Sequence, residues 1–139
     1  MGTEPGTKRV IGPAAPALID EVLDALDALW AESPQVTAED RTLFTLAVSE
    51  VVTNIVQHAD AFADAEISVD VALRVTADAL LATIVDTAHP ASIDWESVSM
   101  PDQDSESGRG LAIATAALDD FEHTGGGAGN TWVLRRRLS

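Results

Sequence analysis

The sequence contains no cysteine. This absence excludes disulfide bonds, thiolate metal sites and cysteine nucleophiles, and it is consistent with a reducing compartment. Basic residues are also few, since 8 Lys and Arg residues stand against 23 Asp and Glu residues and leave a net charge of −15. Such an acidic surface repels the phosphate backbone of a duplex, so we do not expect nucleic acid to be a direct partner.

The sequence also lacks long apolar runs. No run approaches the roughly 20 residues that a membrane-spanning helix needs. The first residues carry acids and prolines where a secretory signal has an uninterrupted apolar stretch. We therefore expect no membrane partner and a cytoplasmic location. The length of 139 residues is typical of one domain, and a hydrophobic content of 46% is enough for a core.

The spacing of the apolar residues predicts an α+β fold. Residues 1–13, which are rich in Gly and Pro, are expected to form a flexible arm or an edge strand, and residues 14–139 a single domain. Helices are expected over 14–30, from Thr37 to about His58 and over 108–118, and strands over 67–75, 80–86, 121–124 and 131–138. This order predicts a two-layer α/β sandwich with a mixed, mainly antiparallel sheet and about three helices on one face.

The second predicted helix carries three polar residues at helical spacing. Glu50, Asn54 and His58 lie at i, i+4 and i+8, and therefore share one face of the helix. The apolar residues Leu46 and Ala47 begin the same stripe, which places the polar residues near the interior, where a carboxylate needs a hydrogen bond or a metal. A solvated stripe or a capping network is the alternative. Asparagine is a poor zinc ligand, so a zinc site is not expected.

Asp86 ends a predicted strand and shares its parity with Leu80 and Ile84. If those two residues face the core, the Asp86 carboxylate points inward and can accept a hydrogen bond from an amino group of a ligand. The alternative is an ordinary turn residue, since aspartate commonly begins turns.

Two glycine-containing segments follow. Gly108-Arg109-Gly110 lies at the start of the third predicted helix, where small residues let backbone N–H groups approach phosphate oxygens. Glycines also merely relax turns, which is the alternative. Gly129-Asn130-Thr131 opens the last predicted strand with a small hydroxyl side chain, and strand parity does not decide which way Thr131 points.

Taken together and in this order, these segments resemble the GHKL (Bergerat-fold) ATP-binding superfamily. The short chain and the run Ala47-Val48-Ser49-Glu50 resemble the bacterial anti-sigma-factor serine/threonine kinase family within it. The resemblance implies ATP and Mg²⁺ as cofactors. It implies that Glu50 is the general base, that Asn54 holds Mg²⁺, and that Asp86 accepts a hydrogen bond from the adenine amino group with Thr131 nearby.

The same resemblance implies that the phosphates are wrapped by a short segment at the third helix, and that residues 91–107 form a mobile lid. The wrapping residues are Gly108, Arg109, Gly110 and Leu111. The family usually has glycine two and four residues after the adenine-binding aspartate, where this sequence has Ala88 and Pro90. We nevertheless expect Ala88 to lie in the nucleotide-binding site.

The implied function is that of an ATP-dependent protein serine/threonine kinase, which phosphorylates a small antagonist protein and sequesters a sigma factor. The family often forms homodimers, so a homodimer is a further expectation. The alternative is a partner-switching module that binds proteins without nucleotide, for which the substitutions Ala88 and Pro90 are the sequence support.

Overall fold

The computed structural model describes residues 6–58, 66–89, 106–126 and 129–139, with only the backbone described at 58 and at 106–109. Within these residues it contains five strands and three helices. In chain order they are β1 Thr7–Pro13, α1 Pro16–Ala31, α2 Ala38–His58, β2 Ser68–Val75, β3 Ala79–Asp86, α3 Glu106–Ala117, β4 Asp120–Gly126 and β5 Gly129–Arg137.

The strands form one sheet in the order β1-β2-β3-β5-β4. Each of the four described pairings is antiparallel. The predicted α+β class with a mainly antiparallel sheet is therefore confirmed, and no parallel pair occurs among these strands. Residues 7–13 pair with β2 along their whole length, so this part of the expected arm or edge strand is a strand of the sheet.

The core lies between one face of the sheet and the three helices. Alternate residues of β2 and β3 are buried, as half-buried strands require. They join the apolar stripe of α1 and the buried residues of α2 and α3 in one cluster, whose largest fully buried members include Trp132, Phe44, Leu18, Leu26, Leu73 and Ile84. No helix in the described part of the chain is long and apolar enough to cross a membrane.

Local sequence signals explain where the helices begin. Pro16 stands at the first turn of α1, where a missing N–H leaves no hydrogen bond unmade. Thr37 caps α2, because its Oγ1 accepts a hydrogen bond of 3.2 Å from the Asp40 N–H. The start of α3 differs slightly from the prediction: the helix begins at Glu106, two residues before the expected start at Gly108.

The polar line of α2 also lies differently from the prediction. The buried face of this helix runs through Ala47, Val51 and Ile55, whereas Leu46 is 37% exposed. Glu50 and Asn54 follow Leu46 at four-residue intervals and are half-buried. The expectation of an interior position is therefore wrong for Leu46, whereas Ala47 is buried and Glu50 and Asn54 lie at intermediate depth. The line lies at the rim of the buried face because α2 turns its neighbouring rows toward the sheet and α3.

A buried carboxylate ties together three element ends. Asp40, in the first turn of α2, is fully buried and accepts hydrogen bonds from Arg136 Nε at 2.9 Å, from Ser139 N at 2.9 Å and from Ser139 Oγ at 3.0 Å. Arg136 also donates to the carbonyl oxygen of Ala117, the last residue of α3, at 2.8 Å. Burial alone would raise the pKa of Asp40, but the hydrogen bonds from Ser139, Arg136 and Thr37 outweigh it and lower this pKa.

We expect Arg136→Met to lower the free energy of unfolding by about 3 kcal/mol, because it leaves a buried carboxylate with fewer partners. Arg135→Met is the matched control. The Arg135–Asp120 pair is exposed, and its loss should cost no more than about 1 kcal/mol. Chemical denaturation at neutral pH measures both, and equal losses in the two variants would contradict the assignment.

Asp40 also determines how the free energy of unfolding changes as the pH is lowered. A lowered pKa means that the contribution of Asp40 is fully present above its unfolded-state pKa of about 3.9 and is lost as the pH falls through the folded-state value. Asp40→Asn should therefore be less stable at neutral pH and should lose less further stability on acidification.

Candidate functional site

Asp86 is a deeply buried ionisable group at the end of a strand. It ends β3 with 1% of its surface exposed, and its side chain lies on the helix-facing side with Leu80 and Ile84. The strand parity therefore predicts its orientation correctly. A carboxylate at this depth is stable only if hydrogen-bond donors surround it.

The structure supplies three donors to this carboxylate. Oδ1 accepts from the backbone N–H of Ala88 at 3.0 Å and from Asn130 Nδ2 at 2.9 Å. Oδ2 accepts from the indole Nε1 of Trp132 at 2.9 Å. The bond to Ala88 is a local turn of the kind aspartate favours. The two interpretations of Asp86 offered by the sequence are therefore both correct, because its side chain points inward and also begins a turn.

The hydrogen-bond partners of Asn130 determine which of its side-chain atoms donates and which accepts. Asn130 Nδ2 faces the Asp86 carboxylate and also the carbonyl oxygen of His89 at 3.1 Å, and both of these groups accept. The amide orientation of Asn130 is therefore settled, and its Oδ1 is the atom that lies 2.7 Å from His123 Nε2. His123 must carry a proton on Nε2. The hydrogen bonds run in one direction, from His123 through Asn130 to Asp86.

Gly129 lets β5 approach the end of β3. Its φ is +135°, and a Cβ built there would stand 1.9 Å from the carbonyl oxygen of Asp86. No side chain fits at that distance. The bare backbone is what allows Asn130, the next residue, to pair with Asp86 in the register of the two strands.

On the helix side, Glu50 lies against the first turns of α3. A Cβ added at Gly110 would stand 2.7 Å from Glu50 Oε2, so the carboxylate occupies the space that a larger residue would fill. One turn further along α2, Asn54 Oδ1 is buried and has no hydrogen-bond partner within the described residues. Buried polar atoms are nearly always paired, so this oxygen is suited to a ligand.

The remaining predicted site residues lie in different parts of the fold. Leu111 is buried in the core cluster. Gly108 and Arg109 are residues of α3, and only the backbone of Arg109 is described. Thr131 pairs with Val85, which is 41% exposed, and so lies on the outer face of the sheet, opposite Asp86. The structure therefore does not bring Thr131 beside Asp86, because neighbours along a strand point to opposite faces.

Two expectations fall on residues that the structure leaves undescribed. The predicted lid spans 91–107, of which only Glu106 and Ser107 have a described backbone, and the side chain of His58 is likewise outside it. Among described residues, no group of three or more His, Asp or Glu side chains could hold a metal ion. The arrangement on α2 is thus a single amide oxygen beside a carboxylate and not a cage of acidic ligands.

Sequence reasoning missed the residues that surround Asp86. Asn130 was named only as part of a short motif, and Trp132 and His123 were not named. The parity of β5 places Asn130 and Trp132 on one face. Which face that is depends on the pairing of β5 with β3, and this pairing could not be read from the sequence.

A model of the family described as "Histidine kinase-like ATPase domain" matches residues 12–136. A comparison with curated proteins gives no match. Among solved structures, the chain resembles the RsbU and RsbW domains of Rv1364c from Mycobacterium tuberculosis, with a TM-score of 0.65 and 25% sequence identity over 95% of this chain and 32% of that one. The chain therefore spans about a third of that mycobacterial chain.

Two structures of the blue-light activated histidine kinase of Erythrobacter litoralis EL346 are also similar. Its histidine kinase domain matches with a TM-score of 0.55 and 21% identity, over 99% of this chain and 66% of that one. A second structure of the protein matches with a TM-score of 0.60 and 24% identity, over 91% and 42% of the respective chains. At these identities the similarity shows a shared fold.

We expect Gly129→Ala to lower the free energy of unfolding by more than about 2 kcal/mol, because it combines a strained φ with a backbone collision. Gly126→Ala is the matched control in the neighbouring strand, since a Cβ there meets no atom within 4 Å. Thermal unfolding of both variants measures the difference. A Gly129→Ala protein as stable as Gly126→Ala would show that the close approach to Asp86 is not required.

Proposed function

The chain belongs to the histidine kinase-like ATPase family, and from that membership we propose that it is an ATP-dependent protein serine/threonine kinase that also sequesters a sigma factor. The observation that carries this proposal is the pairing, on one helix, of a carboxylate with a buried amide oxygen that has no partner among the described residues. Phosphoryl transfer requires a group that receives a hydroxyl proton and a ligand for the cation that neutralises phosphate charge.

Asn54 fits the cation. Mg²⁺ prefers oxygen ligands and usually takes only one or two from the protein, the rest coming from water and phosphate. A single buried amide oxygen without a partner in the described structure meets that requirement. When bound, the cation would neutralise charge on the phosphates, and Asn54 would be the residue that holds it.

Glu50 acts as the general base. Its half-buried carboxylate accepts the proton of the attacking serine or threonine hydroxyl, and it lies in the space left by the missing side chain of Gly110. Because Gly110 has no side chain, α3 can pack directly over the carboxylate. The first turn of α3, which includes Gly108, would present its free backbone N–H groups and the positive end of the helix dipole to the phosphates.

Asp86 recognises the base of the nucleotide. It is buried, and its two oxygens accept three hydrogen bonds within the described structure, which leaves one acceptor position for an exocyclic amino group. Ala88 lies at the same turn and is fully buried. Thr131 is left out of this assignment because it lies on the outer face of the sheet.

The proposed partners are proteins. The similarity to the mycobacterial chain with an RsbW domain supports a role in binding a sigma factor and a small antagonist protein, with phosphorylation of the antagonist on serine or threonine. The net charge of −15 favours association with a partner of opposite charge. A homodimer and a cytoplasmic location belong to the same proposal.

One observation favours the alternative of a partner-switching module that works without nucleotide. The Asp86 carboxylate already accepts three hydrogen bonds from its own chain, so burial of this group does not by itself require a ligand. Nucleotide binding separates the two proposals.

We expect Mg-ATP to raise the thermal unfolding midpoint. Ligand at 100 times its dissociation constant adds about 2.7 kcal/mol of stability, which shifts the midpoint by roughly 10 °C in a domain of this size. Asn54→Ala and Asp86→Asn should abolish the shift, whereas Thr131→Ala, on the outer face, should keep it. No shift at millimolar nucleotide would favour the module without nucleotide.

The proposed base can be tested separately from binding. Glu50→Gln should retain the Mg-ATP shift and lose transfer of labelled phosphate to a candidate antagonist protein, by about 100-fold or more.

Gly110→Ala should lower transfer without lowering stability. Alanine favours a helix over glycine by about 1 kcal/mol, but its Cβ displaces the end of the Glu50 side chain. Gly110→Ala with unchanged transfer would contradict the role of this contact.

A further inference from the structure

The Asp86 carboxylate has one acceptor position left. A carboxylate offers about four lone-pair sites, two on each oxygen. Within the described structure Oδ1 accepts from Ala88 and Asn130, which uses both of its sites, whereas Oδ2 accepts only from Trp132. The remaining position is therefore on Oδ2, directly beside the indole N–H of Trp132.

The indole of Trp132 cannot move away from Oδ2 easily. Trp132 is 1% exposed. Its ring lies against that of His123, with centroids 4.3 Å apart, and against that of Phe121 at 6.3 Å. His123 is held in turn by Asn130 Oδ1. The indole of Trp132 is thus held in place by residues of β4 and β5. The direction of the open lone pair on Oδ2 is therefore set before a ligand binds.

We propose that Trp132 is the positioning residue that sets base selectivity, by sharing Asp86 Oδ2 with the exocyclic amino group of the bound purine. The proposal rests on the proposed function, because the purine is that of the nucleotide. The indole N–H fixes the rotation of the carboxylate, so the open position accepts a donor at one place only. A keto oxygen in that place would set two acceptors against each other in a buried site, an arrangement that strongly disfavours binding.

The selectivity can be measured with two nucleotides that differ at position 6 of the purine and in the proton on the neighbouring N1. Inosine triphosphate has a keto oxygen where ATP has the amino group. We expect the native protein, with Mg²⁺, to bind ATP at least about 100-fold more tightly than inosine triphosphate. In Trp132→Phe, which keeps the aromatic body and removes the donor, the ratio of the two affinities should fall about tenfold.

Trp30→Phe is the matched control. Trp30 is also a buried tryptophan whose Nε1 donates to a side chain, in this case Thr45 Oγ1 at 3.1 Å. Its replacement removes a comparable hydrogen bond from the core between α1 and α2 and should leave the affinity ratio unchanged. A general loss of packing would weaken both nucleotides equally, so the ratio separates positioning from a merely structural role.

A second measurement uses the native protein and does not depend on the folding of Trp132→Phe. The indole N–H resonance of Trp132, assigned with the help of Trp30→Phe and Trp95→Phe, should shift on saturation with ATP and shift less with inosine triphosphate. An unshifted resonance, or an unchanged ratio in a folded Trp132→Phe protein, would overturn this inference while leaving the proposed function intact. If the native protein binds neither nucleotide, the proposed function and the inference both fail.

Discussion

The structure depends on one buried carboxylate and the donors that surround it. Asp86 is placed at the end of β3 with almost no exposure to water, and without partners it would strongly destabilise the fold. The donors come from the turn that follows it and from β5, so the carboxylate joins strands that are far apart in the sequence. Gly129 is part of the same constraint, since only a glycine allows β5 to pass this close.

The other half of the candidate site is built by helix packing. Glu50 is held where α3 crosses α2, and the missing side chain at Gly110 leaves room for its carboxylate. Asn54, one turn away, remains without a hydrogen-bond partner in the described residues although its oxygen is buried. The two halves differ in degree: Asp86 accepts three hydrogen bonds from its own chain and keeps one open position, whereas the Asn54 oxygen accepts none from the described residues.

Much of the fold could be predicted because the local patterns and the packing agree. Buried and less buried residues alternate through most of β2 and from Leu80 onward in β3, and the Thr37 cap marks the start of α2. The predictions failed where local pattern does not decide the answer. Leu46 was placed on the wrong side because several apolar rows compete on α2, and the start of α3 was placed two residues too late, at Gly108, because the glycines suggested a helix entry.

The sequence by itself determined the order of helices and strands, the inward parity of Asp86 and the shared line of Glu50 and Asn54, because each of these follows from periods of two or about four residues. Only the tertiary structure decided that Thr131 lies outside and that Asn130 and Trp132 lie inside. That choice depends on the register between β3 and β5, which 44 residues of sequence separate at the Asp86–Asn130 hydrogen bond. A shift by one residue would exchange the two faces, and only the packing of the whole sheet against the helices excludes it.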